Sequence, residues 1–234
     1  MKYNAYQTGM TLIEIMIALL IGAFLLGGVL QIFSGSQQTY RMQENLSRLQ
    51  ENGRFAMDFL AHDIRMAGYW GCLSGTNIDI TGADNNAVAG DGIDNGTDTI
   101  TLKGAFVLTP TGSCGVVADP TAAYYTDASS TIVYKINNAV LQQDTNNQHN
   151  GIVEGIENMQ ILYGVDTDDP LTGDHVPNYY VAANPGWAAT DWAKVVSIRI
   201  TITARTLDGN LTTTGDGRIR RDFTTTIALR NRLP

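Results

Sequence analysis

Residues 9–33, Gly9-Met-Thr-Leu-Ile-Glu-Ile-Met-Ile-Ala-Leu-Leu-Ile-Gly-Ala-Phe-Leu-Leu-Gly-Gly-Val-Leu-Gln-Ile-Phe33, decide how the rest of the chain is read. From Ile15 to Phe33 there is no charged side chain, and the next charge is Arg41. Coiled into a helix, that run is roughly 28 Å long, close to the ~30 Å hydrocarbon core of a bilayer. It has no polar face, so it cannot lie on the surface of a soluble domain. It is either a membrane span or a helix buried inside an assembly. Glu14 breaks the pattern at the leading edge, where a carboxylate is costly unless something pairs with it.

A secretory signal peptide has a shorter apolar core followed by a small-x-small cleavage site, and Gln31-Ile32-Phe33 is a poor one. A plain signal anchor accounts for the span but leaves Glu14 and Gly9 unexplained. A third reading makes residues 1–9 a short polar leader. Cutting after Gly9 frees an α-amine at Met10, and that cation and the Glu14 carboxylate can neutralise each other, most usefully between neighbouring copies.

The segment Gly9-Met-Thr-Leu-Ile-Glu14 and the apolar run after it resemble the type III signal of type IV prepilins and pseudopilins. In that family a prepilin peptidase cuts after the glycine and methylates the new N-terminus, and the glutamate at the fifth mature position aligns subunits during assembly. The resemblance puts those roles on Gly9, Met10 and Glu14. The leader carries one basic residue, Lys2, and the first proline is Pro110, so any local melting of the helix falls to Gly22, Gly27 and Gly28. The basic residues flanking the span, Lys2 before it and Arg41, Arg48 and Arg54 after it, give no clear orientation. A leader in the cytoplasm therefore follows from the resemblance alone.

The helix is expected to run on past the apolar stretch. Leu46, Leu49, Gly53, Ala56 and Leu60 recur at spacings of three and four, marking a buried stripe. Arg41, Glu44, Arg48, Glu51, Arg54 and Asp58 alternate in sign on the other side, each pair adding a few tenths of a kcal/mol. Counted from Thr11 to Ala67 the helix would be roughly 85 Å long, and Gly68 would end it. Ala18 with Gly22, and Ala23 with Gly27, are small pairs four apart that permit close helix approach in lipid, or are chance in an Ala/Gly-rich run.

A second resemblance lies in residues 50–72. It is similar to the segment after the membrane helix in PilW-type minor pilins, carried by Glu51, Asn52, Gly53, Arg54, Phe55, Asp63, Arg65, Ala67, Gly68, Tyr69, Gly71 and Cys72. The remainder matches that family only loosely, in strand order and in Tyr163-Gly164-Val165-Asp166. Because the family works outside the cytoplasm, Cys72 and Cys114 are expected to form one disulfide, the alternative being two unrelated buried thiols.

Beyond Gly68 the composition turns to Gly, Asn, Asp and Thr, which suits short strands and many turns. Residues 73–98 read as a long loop. Asp91, Asp94 and Asp98 do not fit the calcium-loop pattern, and they and Asp166, Asp168, Asp169 and Asp174 are read as solvated turns. Strands are expected over Thr99–Leu108, around Ile132-Tyr134-Ile136 with a turn at Asn137-Asn138, from Val140, and over Met159–Val165. Val196–Arg205 gives the strongest strand and Phe223–Leu229 the last. The fold class is α+β and pilin-like, with one long N-terminal helix packed on a C-terminal antiparallel sheet. The segments are a leader at 1–9, a membrane or filament-core helix at 10–35, an amphipathic half at 36–67 and a β-rich head at 68–234.

An insertion between Asp166 and Val195 gathers Tyr179, Tyr180, Trp187 and Trp192. They form a candidate partner surface or, as the better reading, a plug for the sheet's open edge. No catalytic or metal-ligand spacing is present around His62, His149 or His175, and there is no nucleophile elbow or phosphate loop, so no enzyme and no cofactor are expected. A formal net charge of −8 argues against general nucleic-acid binding, and Arg218, Arg220, Arg221, Arg230 and Arg232 read as a solvated edge. Asn45, Asn95 and Asn210 fit the glycosylation triplet, which carries no weight alone.

The resemblance implies a minor pilin that primes type IV pilus assembly and enters the filament near its tip, supporting twitching motility and adhesion. Its partners would be other minor pilins, the major pilin, the prepilin peptidase, the assembly platform and a tip adhesin. It would sit in the inner membrane with its head in the periplasm, then on the cell surface in the pilus. The alternatives are a J-type pseudopilin of type II secretion and a periplasmic binding domain or enzyme tethered by a plain anchor.

Overall fold

The computed structural model describes residues 9, 11–69, 79–86, 93–104, 106, 130–145, 148–168 and 174–232. One helix, α1 (Leu12–Met66), occupies the N-terminal part. Its first turn opens on the Thr11 carbonyl, which accepts the amides of Glu14 and Ile15 at 3.1 and 3.3 Å. Glu14 lies in that turn, where a carboxylate complements the helix dipole. The helix stops at a glycine because the chain must turn left-handed there: Gly68 has φ +75° and donates its amide to Lys103 O at 2.9 Å.

By its contacts the chain divides into two units, Met1–Asn45 and Leu46–Pro234. In the first, every described side chain from Leu12 to Arg41 is exposed, apart from the half-buried Gly22. Phe24 is 84% exposed. In the second unit the stripe expected from the sequence is inward: Leu49, Gly53, Ala56 and Leu60 are buried and Leu46 is half-buried, Met57 and Ile64 join them, and Arg48, Glu51, Arg54 and Asp58 face solvent. Each fully buried Leu or Ile contributes about 1.5–3 kcal/mol relative to exposure.

Where one sheet was expected there are two, both antiparallel. The first has five strands in sequence order: β1 (Ile80–Asn86), β2 (Thr97–Gly104), β3 (Ser130–Asn137), β4 (Val140–Thr145) and β5 (Gln148–Glu154). The second is ordered β7-β6-β8-β9 and built from β6 (Ile156–Val165), β7 (Tyr179–Val181), β8 (Val195–Arg205) and β9 (Arg220–Ala228). A short helix α2 (Ala189–Ala193) precedes β8, and a 3-10 turn (Arg230–Arg232) follows β9. The chain changes sheet at Gly155, φ +80°, whose carbonyl accepts the Arg205 amide at 2.7 Å. A Cβ there would come 2.8 Å from Arg205 O, so glycine is required.

The second half of α1 covers both sheets. Phe59 meets the Tyr134 ring of β3 edge-on at 6.3 Å, and Asn52 Nδ2 donates to Glu154 O of β5 at 3.0 Å. Gly53 lies against Phe223 of β9 so closely that a Cβ would sit 2.3 Å from ring atom Cε2. Asp63, buried on the same helix, accepts Tyr134 Oη at 2.5 Å and Gln143 Nε2 at 3.1 Å. Burial, and then the Asp63 charge, push the Tyr134 phenol far above its ordinary pKa.

Asp98 of β2 joins the sheets from inside. Its side chain is buried; Oδ1 accepts the Asn85 amide of β1 at 2.8 Å and Oδ2 accepts the Ile161 amide of β6 at 2.6 Å. Burial raises its pKa, and the two amides work against that rise.

Two sequence expectations are corrected here. The loop expected at 73–98 contains β1, whose only large apolar residue is Ile80, which explains why periodicity missed it. The β3–β4 turn is centred on Asn138 and Ala139, one residue later than expected, both with positive φ (52° and 56°). Asp94 caps it, its carboxylate accepting the amides of Asn138 and Ala139 at 2.9 Å each.

Candidate functional site

The functional surface with the strongest physical demand is the exposed apolar helix. Leu12 to Phe33 presents leucine, isoleucine, methionine and phenylalanine on all sides, with Glu14 as the one charged side chain near its start. A Cβ added at Gly22, Gly27 or Gly28 would meet nothing within 4 Å, so nothing among the described residues dictates those glycines. Gly22 lies one turn after Ala18, and Gly27 one turn after Ala23, leaving shallow places where another helix fits. Further along, Thr39 Oγ1 donates to Gly35 O at 2.9 Å and Asn45 Nδ2 to Arg41 O at 3.0 Å, so these polar groups are satisfied within the helix.

Gly9 is exposed, and Met10 lies outside the described residues. So do Cys72, Cys114, Asp91 and Asp169.

The aromatic quartet splits. Trp192 on α2 is buried and meets Tyr163 edge-on at 5.0 Å and Trp187 at 4.8 Å. Each such contact adds about 0.5–1.5 kcal/mol beyond its buried area. Tyr180 on β7 turns to the other face, under the Arg199 guanidinium at 4.0 Å and 3.0 Å from Ser197 Oγ. Tyr179 remains half exposed. Trp187 and Trp192 thus pack on the Tyr163 ring of β6, and the quartet presents no single face. The Tyr163 phenol beneath them is fully buried, and burial followed by the Asp98 and Asp84 charges drives its pKa upward.

Asp166, Asp168 and Asp174 bring carboxylate oxygens within 4.8 Å of one another. Asp166 accepts the Asp168 amide and Asp174 the Val176 amide, so both act as local turn caps. Asp94 and Asp98 have the structural roles already described.

The C-terminal arginines correct another expectation, since they are not simply a solvated edge. Arg220 binds Glu157 Oε2 at 2.5 Å and Asp216 Oδ2 at 2.9 Å. Hydrogen bonding to Arg220 is the main reason Glu157 is held below the usual carboxylate range. Arg218 donates to Thr206 O at 2.9 Å and to Leu207 O at 2.5 Å. Arg232 is largely enclosed and donates to the carbonyls of Trp192 and Val195, tying the C-terminus to α2. Arg221 and Arg230 stay exposed. His62 pairs with Asp63 at 2.8 Å, and His149 with Asp144 at 2.7 Å, Asp144 also holding Lys135 Nζ at 2.6 Å. The contacts of Asp144 cross-link β4 to β3 and to β5, and the His62 contact is local to α1.

The family model described as type IV pilus-assembly protein W matches residues 123–231, and that of the prokaryotic N-terminal methylation motif matches residues 4–30. The first covers just under half of the chain, and the second only the N-terminal segment. The first match falls on the head, where the sequence showed only a loose likeness, and not on residues 50–72. No curated protein matches. Among solved structures, a type IV-like pilin from Thermus thermophilus is similar at 13% identity and a TM-score of 0.50. The likeness covers 80% of this chain and 98% of that one. It shows the fold, a long helix packed on antiparallel sheets. That family and fold are structural, not enzymatic, and an N-terminal methylation motif on an apolar helix fits a membrane-anchored pilin. That domain and that motif, on a pilin-like fold, support a type IV minor pilin.

Proposed function

We infer that this chain is made as a prepilin, trimmed after Gly9, methylated at Met10, held in the inner membrane with its head in the periplasm, and then drawn into a filament. One observation carries this reading: an apolar helix exposed on all sides, headed by Glu14, on a chain that carries the methylation motif. The same helix serves in two settings, as a span in lipid and as a core element among other subunits' helices. The leader is 1–9, the filament-core helix 10–35, the amphipathic half 36–67 and the head 68–234. In the membrane or the filament core the Glu14 carboxylate takes the Met10 amine, its own or a neighbour's, as counter-ion.

The subunit primes assembly with other minor pilins and stays near the tip, which gives it a part in twitching motility and adhesion. Its partners are the prepilin peptidase, the assembly platform, the major pilin and a tip adhesin. A J-type pseudopilin of type II secretion shares the helix logic, and the match to the pilus-assembly family favours the pilus.

Mass spectrometry of the mature chain tests the first step: the expected N-terminus is methylated Met10, and an intact Met1 in cells that possess the peptidase rejects the reading. Glu14→Ala is expected to be cleaved normally. Its recovery in sheared filaments should fall on the order of tenfold or more, the consequence of leaving the amine without a partner in a low-dielectric core. Wild-type recovery of that variant contradicts the pairing.

A further inference from the structure

A sheet edge is a row of unpaired amides and carbonyls that proteins normally blunt. Three of the four edges here are blunted. The register of β1 on β2 is broken between Ala83 and Asn86, that of β5 on β4 between Leu141 and Gln142, and β7 is Tyr179–Val181 only. The fourth, β9, runs for nine residues, keeps an unbroken register with β8 from Arg220 to Ala228, and contains no proline or glycine. Among the described residues it pairs on one side only.

The direction of its free groups can be read from the ladder. Leu229 donates its amide to Val196 O, and Thr206 donates to Ile219 O, so residues 219 and 229 face β8. Alternation then turns the amides and carbonyls of Asp222, Thr224 and Thr226 to the open side. Beside that edge, between β9 and α1, lies a slot of about 370 Å³ floored by Met57 and Phe223 and lined by Arg54, Asp58, Arg221 and Thr225. Neither Arg54 nor Arg221 has a carboxylate partner among the described residues, on a chain whose net charge is −8.

We propose that the free edge of β9 receives an extended, acidic segment of another subunit of the same filament, which adds a strand to the second sheet and sets its helix-facing side chains into the slot. Main-chain bonds to Asp222, Thr224 and Thr226 hold the added strand. A small apolar side chain covers Met57 and Phe223, and an acidic one meets Arg54 and Arg221. With Arg54 and Arg221 against the one carboxylate of Asp58, the slot lining is net positive, which selects an acidic segment over a basic one. This rests on the filament-subunit reading above and adds a head-to-head contact to the helix contacts.

Thr226→Pro removes one outward amide and leaves every main-chain bond to β8 in place, because that amide points away from β8; the side-chain bond from Arg199 Nε to Thr226 Oγ1 is lost in both Thr226 variants. Thr226→Val keeps the amide. In full-length chains expressed in cells, Thr226→Pro should be cleaved normally and fall about tenfold in sheared filaments, with Thr226→Val recovered like wild type. Arg54→Glu with Arg221→Glu should fall by a similar factor. Wild-type recovery of Thr226→Pro overturns the proposal, and so does equal loss of Thr226→Val, which would assign the effect to the hydroxyl. If Thr226→Pro melts before assembly, amide exchange of wild type decides. Thr224 and Thr226 should exchange about tenfold slower in filaments than in detergent-solubilised chains, and equal rates overturn the proposal. Absence of the wild-type chain from filaments defeats the underlying reading as well, an outcome distinct from loss of the proline variant alone.

Discussion

Removing the Asp98 carboxylate should loosen the two sheets from each other. The side chain is 2% exposed and accepts two amides, one from each sheet, at 2.8 and 2.6 Å. Hydrogen bonds to a charged acceptor contribute about 1.5–3 kcal/mol each, and Asp98→Ala leaves both amides buried without a partner. Relief of the buried charge offsets part of that loss, since burial raises the Asp98 pKa and so penalises its ionised form. A net destabilisation of about 3 kcal/mol follows, or roughly 6–12 °C in melting temperature for a domain of this size. Asp98→Asn keeps one acceptor and aims its NH₂ at the other amide, and should lose about 2 kcal/mol. Thermal unfolding of the full mature chain in detergent, followed by far-UV circular dichroism, measures both. Because the folded state binds the Asp98 proton more tightly than the unfolded chain, this group favours folding below the ordinary carboxylate pKa of 3.8 and loses that advantage as pH rises through its raised folded value. The alanine variant should therefore fall further short of wild type at acid pH than at neutral pH. Melting of Asp98→Ala within 2 °C of wild type at neutral pH would show that the bridge does not join the sheets energetically.

Gly53→Ala should destabilise the head by ~1–3 kcal/mol despite its better helix propensity, because the new Cβ overlaps Phe223; Phe223→Ala in the same chain should recover part of the loss, as a thermal double-mutant cycle would show. Glu157, held down chiefly by Arg220, stabilises the head fully above its unfolded value near 4.5 and loses that contribution as pH falls through its lowered folded value, so Glu157→Gln should flatten the acid limb of a melting-temperature profile. Cys72 and Cys114 should take two alkyl groups only after reduction, and reduction should cost the chain about 2–4 kcal/mol; alkylation without reductant would show free thiols.

Patterns that repeat were legible in the sequence, and long-range coincidences were not. The helix, its buried stripe and its Gly68 stop follow from spacing, because each residue's role depends on neighbours one turn away. Val196, Ile198, Ile200 and Ile202 alternate strictly and form β8. β1 shows no apolar period because Ile80 is its only large apolar residue, and the demand for Gly82, where a Cβ would stand 1.9 Å from Tyr163 Oη, is set about eighty residues downstream. The second sheet is set by Gly155, a positive-φ turn between β5 and β6, and alternation does not tell which sheet a strand joins. Asp94 and Asp98 look like cation ligands by composition, and only the fold shows that backbone amides already occupy their oxygens. At the helix the case is reversed, since a structure of one chain adds little to what the apolar run with one acid already states.

The two halves of α1 differ in what they require. From Leu49 to Ile64 the helix finds its apolar partners in the head, and Gly53 against Phe223 leaves no room for another occupant on that line. From Leu12 to Phe33 no partner exists within the described chain, and the exposed side chains there could together bury far more apolar area than a folded monomer usually leaves open. Lipid supplies that cover without specificity, and neighbouring helices supply it with specificity, through the small residues at Ala18, Gly22, Ala23 and Gly27. Hydrocarbon alone cannot satisfy Glu14. On the reading proposed above, an ion pair with the Met10 amine, its own or a neighbour's, removes that cost. On that reading the carboxylate is a poor feature of a bare anchor and a useful feature of a subunit that pairs with its neighbours.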